Sequence, residues 1–128
     1  MLDIEKLVAF WRHDAQEDLT VAQELLERGR IRHGLFFLHL ALEKLLKAHV
    51  CRQTCDLAPR VHNLVRLAEL AALHLPESCA DTLAAMNPFA IAGRYPDSPF
   101  PLPPPEEARG YTERVQEVFT CLMRLLSQ

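Results

Sequence analysis

The chain has 128 residues, of which 49% are hydrophobic and only four are glycine, and it carries a net charge of −3. That length supports one hydrophobic core but not two, and the charge argues against a general polyanion binder. No uninterrupted apolar run approaches the roughly 18 residues of a membrane span, the opening Met1 to Lys6 is too acidic and polar for a secretory leader, and four cysteines without an export signal are expected as free thiols. A single cytoplasmic domain over residues 1–128, with no membrane contact, is the expectation.

The first helix is expected from Asp3 to Arg28. Ile4, Leu7, Val8, Trp11, Ala15, Leu19, Ala22, Leu25 and Leu26 make one apolar stripe at helical spacing. Asp3 is its predicted N-cap, and Gly29 can take the left-handed conformation that closes it. A second helix is expected from Arg30 to Arg52. Its segment Leu35-Phe36-Phe37-Leu38-His39-Leu40-Ala41-Leu42 is apolar on nearly every side, which marks a central, largely buried helix. The polar residues in it are ordered: His39, Glu43 and Lys47 recur at i, i+4 and i+8 along one stripe, with Lys44 beside it. Glu43 and Lys47 stand in the favourable order for an i, i+4 ion pair.

After a turn at Asp56 to Pro59, Val61 to His74 reads as a shorter helix, ended by Pro76. Glu77 to Ile91 reads as a fourth helix, which Pro88 should kink or interrupt. Residues 96–105 contain six prolines in ten and predict an extended, polyproline-like loop. The last helix is expected from Glu106 to Ser127, with Tyr111, Val115, Val118, Phe119, Leu122, Leu125 and Leu126 inward. Four long helices and one short one, joined by brief connections, define an all-α, up-and-down bundle. The proline-rich loop is the longest connection and so a candidate place for function.

Charge is unevenly distributed. Residues 1–27 carry two basic and seven acidic side chains, residues 28–66 eight basic and two acidic, and residues 67–128 four basic and eight acidic. Two readings fit: helices of opposite charge lying side by side, or a focused anion site in the middle third.

Four ordered segments resemble the HEPN domains (higher eukaryotes and prokaryotes nucleotide-binding). Trp11, Ala15, Asp18-Leu19, Ala22 and Leu25-Leu26 resemble the family's opening helix. Ala41-Leu42-Glu43-Lys44-Leu45-Leu46-Lys47-Ala48, preceded by His39-Leu40, is similar to its Glu-Lys, two apolar, Lys-Ala signature. His62-Asn63-Leu64 resembles the short segment that begins the third helix, and Arg94-Tyr95-Pro96-Asp97 resembles the Arg-Tyr-Pro motif before the last one. The resemblance implies a five-helix bundle, often a homodimer, similar in architecture to the C-terminal helical domain of kanamycin nucleotidyltransferase. It also implies partnership with a minimal nucleotidyltransferase, in some cases as a toxin–antitoxin pair, with the bundle as substrate-binding or regulatory subunit.

Some members of the family are ribonucleases that use an Arg and a His four to six residues apart near the last helix. Here the positions five to seven residues after Arg94 are Pro99, Phe100 and Pro101, and no histidine occurs after His74, so an enzyme of that kind is not the favoured reading. Arg32 and His39 match the bare spacing, but on the second helix. The candidate ligand-binding set is His39, Glu43, Lys44, Lys47, Arg94 and Tyr95. The cations in it suit phosphate, and Tyr95 suits a base; the competing reading is a polar seam within the bundle or at a dimer interface. His49, Cys51, Cys55 and His62 are loosely zinc-like but lack knuckle spacing. No metal or cofactor is therefore expected beyond a nucleotide ligand. A ribonuclease toxin and a purely structural interaction module are the alternatives.

Overall fold

The computed structural model describes residues 1–128 as six helices: α1 (Ile4–Glu27), α2 (Ile31–Thr54), α3 (Leu64–Leu70), α4 (Glu77–Met86), α5 (Phe89–Arg94) and α6 (Pro105–Leu126). No strand is present. The fold is the expected all-helical bundle, with three long helices and three short ones rather than four and one. None of them is long and apolar enough to cross a membrane.

Each boundary has a local cause. The Asp3 side chain accepts from the Lys6 N–H at 3.1 Å and so caps α1. Past the other end, Gly29 takes φ 76°. The Arg30 N–H then reaches back to the Leu25 carbonyl at 2.9 Å, and the Gly29 N–H to the Leu26 carbonyl at 3.1 Å. This paired closure satisfies carbonyls that the helix end would leave bare.

The third helix is shorter than its periodicity suggests. It begins at Leu64 because the Asn63 side chain accepts from the Arg66 N–H at 3.0 Å. It ends at Leu70 because Ala72 turns to φ 54° and the Leu73 N–H closes onto the Ala68 carbonyl at 3.1 Å. Leu73 lies about 200° around a helix from Ala71, so a continuous helix would turn it away from the core. With the chain unwound, both Leu73 and Leu75 pack against the core. The expected fourth helix is interrupted at Asn87–Pro88, giving α4 and α5. Pro88 has no N–H to continue the ladder, and the Asn87 N–H bonds three residues back, to the Ala84 carbonyl at 3.3 Å.

The second helix is the axis of the molecule. It packs against every other helix, most extensively α1. Fourteen of its 24 residues are buried, as its near-continuous apolar segment requires. Two glycines permit the closest approaches to it. A Cβ on Gly34 would meet the Leu26 side chain at 2.5 Å, and one on Gly93 would meet the Phe36 Cβ at 2.4 Å. The charge blocks also find their explanation here: Lys44 on α2 pairs with Asp14 and Asp18 on α1 at 3.1 and 2.7 Å, and Arg52 pairs with Glu5 at 3.4 Å. The acidic first helix and the basic second one lie side by side.

The proline-rich segment crosses from α5 to α6. Phe100 packs edge-on against Phe89, with centroids 5.7 Å apart, and Tyr111 meets the same ring at 5.3 Å. Phe89 is itself fully buried, so the loop is pinned to the core at one aromatic contact. Pro105 opens α6, where a missing N–H costs nothing, and Glu106 and Glu107 favour the positive end of the helix.

Candidate functional site: a buried carboxylate cluster beside an open cleft

Glu43 lies in the middle of α2 with its side chain 5% exposed, and such a charge needs partners. It has two on one oxygen. Lys47 Nζ donates to Oε2 at 3.0 Å, and His62 Nδ1 lies 3.0 Å from the same atom. The remaining oxygen, Oε1, faces His39 Nδ1 at 3.7 Å, too far for a hydrogen bond. The Lys47 ammonium also sits over the Trp11 ring, 5.5 Å from its centroid, a cation–π contact. Residues from three of the sequence segments thus meet at one carboxylate.

His39 is almost wholly enclosed, and its Nε2 has no hydrogen-bond partner. Burial lowers its pKa to about 4, against the opposing pull of Glu43 and the His62 main chain; the charges of His62 and Arg94 lower it further. The imidazole is therefore neutral at pH 7, and the close ion-pair partner of Glu43 on its own helix is Lys47. Lys44 is in a different environment. One residue on from Glu43, it is turned about 100° around the helix and lies between Asp14 and Asp18. Burial works against its charge, but the hydrogen bonds and charges of the two aspartates outweigh this and raise its pKa.

His62 immediately precedes the Asn63 cap of α3, outside any helix, and its ring reaches back to Glu43. Asn63 and Asn87 hold that segment in place: the Leu64 N–H donates to Asn87 Oδ1 at 2.8 Å, and Asn87 Nδ2 donates to Asn63 Oδ1 at 3.3 Å. His62 is half exposed and opens onto a cleft of about 610 Å³, lined also by Asn63, Asn87, Ile91, Arg94 and Tyr95. Arg94 makes no ion pair; its guanidinium lies 5.7 Å from the centroid of the Phe36 ring. Tyr95 is exposed at the end of α5.

The expected site residues therefore divide into three groups. Glu43, Lys47 and His39 form the buried cluster. Arg94 and Tyr95 line the cleft, and Lys44 is committed to α1. The residue that joins cluster to cleft is His62, which sequence reasoning read as a helix-start residue and a weak member of a zinc-like set, not as a partner of Glu43. The signal for it was Glu43 itself, a carboxylate on an apolar helix with more bonding capacity than Lys47 can fill.

Arg32 and His39 do not form a reacting pair: the Arg32 guanidinium donates to the Gly93 carbonyl at 3.1 Å, and His39 faces Glu43. The loosely zinc-like set is dispersed as well. His49 Nε2 bonds the Leu122 carbonyl at 2.9 Å, His62 bonds Glu43, and Cys55 is exposed at the end of α2.

The fold and the site define an all-helical bundle with a buried ion cluster opening onto a cleft rimmed by one arginine and one tyrosine. The HEPN domain model matches residues 8–125, and the chain belongs to the HEPN domain family. Two solved structures share the fold. TT1696 from Thermus thermophilus is 22% identical with a TM-score of 0.76, over 91% of this chain and 96% of that one. ST0689, an archaeal HEPN homologue, is 18% identical with a TM-score of 0.72, over 98% and 99%. No curated protein matches the chain significantly in sequence.

Proposed function

We propose that the cleft between the His62–Asn63 segment and α5 binds a nucleotide, and that the protein serves as the substrate-binding or regulatory partner of a minimal nucleotidyltransferase. The observation that carries the ligand is the pairing of Arg94 and Tyr95 on one cleft. Arg94 is a permanent cation with no carboxylate partner, and its planar fork suits a phosphate. Tyr95 offers a ring face to a base and a hydroxyl to its edge. The volume of about 610 Å³ lies within the usual range for small-molecule sites. Family membership supports the transferase partner, an arrangement of the toxin–antitoxin kind, and a homodimer.

Calorimetric titration with ATP and AMP, with and without Mg²⁺, tests the ligand. Binding is expected to weaken about tenfold or more in Arg94→Ala, while the thermal unfolding of that variant stays close to the parent's because the side chain is exposed. No heat at millimolar nucleotide overturns the reading. The partner is tested by asking whether a minimal nucleotidyltransferase is encoded beside this chain and co-purifies with it; a neighbourhood without one, or no co-purification, overturns that part of the reading.

A further inference from the structure

We infer that the cleft is selective for a phosphate monoester dianion, and that binding it places a proton on His62, so that His62 and Arg94 act together as two cations. This rests on the cleft being a nucleotide site and adds which chemical form of phosphate it takes.

The argument starts from the Glu43 cluster. His62 Nδ1 is committed to Glu43 Oε2 at 3.0 Å. For the neutral ring, this contact requires the proton on Nδ1, because a carboxylate can only accept. The lone pair is then on Nε2, which makes no hydrogen bond within the protein, while the ring lines the cleft. A fixed tautomer with an uncommitted nitrogen, on a half-exposed ring that lines a ligand site, is the arrangement that lets an imidazole exchange a proton with what binds there.

The charges around His62 determine when it does so. From α2 they are Glu43, Lys47 and His39; from α5, Arg94. The cleft-lining residues of α4 and of the break after it, Ala84, Asn87 and Pro88, carry none. Glu43 and Lys47 neutralise each other at 3.0 Å, and His39 is uncharged, so the buried cluster is neutral when His62 is neutral. Protonating His62 in an empty cleft would place an uncompensated positive charge in the same cleft as Arg94. A phosphate dianion reverses this: Arg94 and a protonated His62 then face two negative charges, with Glu43 supporting the imidazolium from behind. The proton comes from solvent onto Nε2, and Nε2–H then donates to a phosphate oxygen. No covalent bond other than N–H is made or broken. A diester brings one negative charge, which Arg94 alone satisfies, so it gives His62 little reason to protonate.

The test is calorimetry at about pH 7.5 in two buffers of different ionisation enthalpy, which separates proton uptake from binding heat. The ligands are AMP as monoester, adenosine 3′,5′-cyclic monophosphate as diester, and inorganic phosphate. AMP is expected to bind about tenfold or more tightly than the cyclic diester, with uptake approaching one proton. Because the phosphate of AMP itself titrates near pH 6, the decisive quantity is the difference between wild type and His62→Gln. Uptake should largely disappear in the variant, and its affinity should fall towards that for the diester. Inorganic phosphate distinguishes the source: coupling with phosphate alone supports the inference with the free anion as ligand, and coupling with AMP only supports it with a nucleotide. Equal proton uptake in wild type and His62→Gln, or a diester bound as tightly as AMP, overturns the inference while leaving nucleotide binding intact. No binding of any of these ligands overturns both.

Discussion

Ala72 occupies the position that closes α3, with φ 54° and its N–H bonded to the Glu69 carbonyl at 2.9 Å. Gly29 fills the same role after α1 at φ 76°. A Cβ in this conformation costs roughly 1–2 kcal/mol, which glycine avoids. Ala72→Gly is therefore expected to stabilise the protein by about 1 kcal/mol, after allowance for the greater freedom of glycine in the unfolded chain. Gly29→Ala, with nothing within 4 Å of the added Cβ, should cost about the same through backbone strain alone. Urea unfolding of the two variants checks both signs, and a destabilised Ala72→Gly would contradict the assignment. At this scale the site was only partly legible. The i, i+4 order of Glu43 and Lys47 was readable because helical periodicity fixes it. That Lys44 turns to Asp14 and Asp18, and that His62 supplies the remaining partner of Glu43, depends on which helices become neighbours, and local pattern does not carry that information.

Among the elements, α5 has the smallest margin for change. It is six residues long, and it reaches α2 through Gly93, whose added Cβ would lie 2.4 Å from the Phe36 Cβ. That atom is fixed to the α2 backbone, so the helix itself must move. At Gly34 the nearest obstacle is instead the Leu26 side chain at 2.5 Å, which has a rotamer change available. Gly93→Ala is accordingly expected to cost more than Gly34→Ala, about 1–3 kcal/mol. It should also weaken ligand binding, because Arg94 and Tyr95 ride on the displaced segment. Equal unfolding midpoints for the two variants, with unchanged nucleotide affinity for Gly93→Ala, would show that α5 is not held this way. The long elements α1, α2 and α6 were legible to within one or two residues, since α1 and α6 carry an extended apolar stripe and α2 a long, nearly continuous apolar segment. The middle of the chain was not. The Val61–His74 pattern contains a helix whose start is fixed by the Asn63 cap and whose end is fixed by the need to turn Leu73 inward, and periodicity registers neither.

The whole molecule turns about α2, and two of the buried groups on α2 are histidines held neutral by their surroundings. Burial lowers His39 from 6.5 to about 4. It also lowers His49, against the favourable hydrogen bond to the Leu122 carbonyl. In the unfolded chain both take up a proton as pH falls through about 6.5. In the folded chain His39 resists until about pH 4. Between these values the unfolded state binds more protons, so stability must decrease as pH falls. For His39 the loss approaches about 3 kcal/mol once pH reaches its folded value, at roughly 1.4 kcal/mol per unit of displacement. Against a total stability of about 5–15 kcal/mol, that is a large fraction, and His49 contributes in the same direction. Because α2 contacts every other helix, the effect of charging either ring is expected in the global unfolding transition and not only at a fraying end. The urea midpoint is expected to be steady above neutrality and to fall steeply from about pH 6.5 towards about pH 4. His39→Leu should lose a large part of that slope, whatever it does to the absolute midpoint, because it removes the proton acceptor and leaves Glu43 with its partners Lys47 and His62. A slope unchanged in His39→Leu would mean that the acid sensitivity arises elsewhere in the bundle, and a flat profile in the parent would mean that the folded chain takes up protons as readily as the unfolded one, which would overturn the burial argument for both histidines.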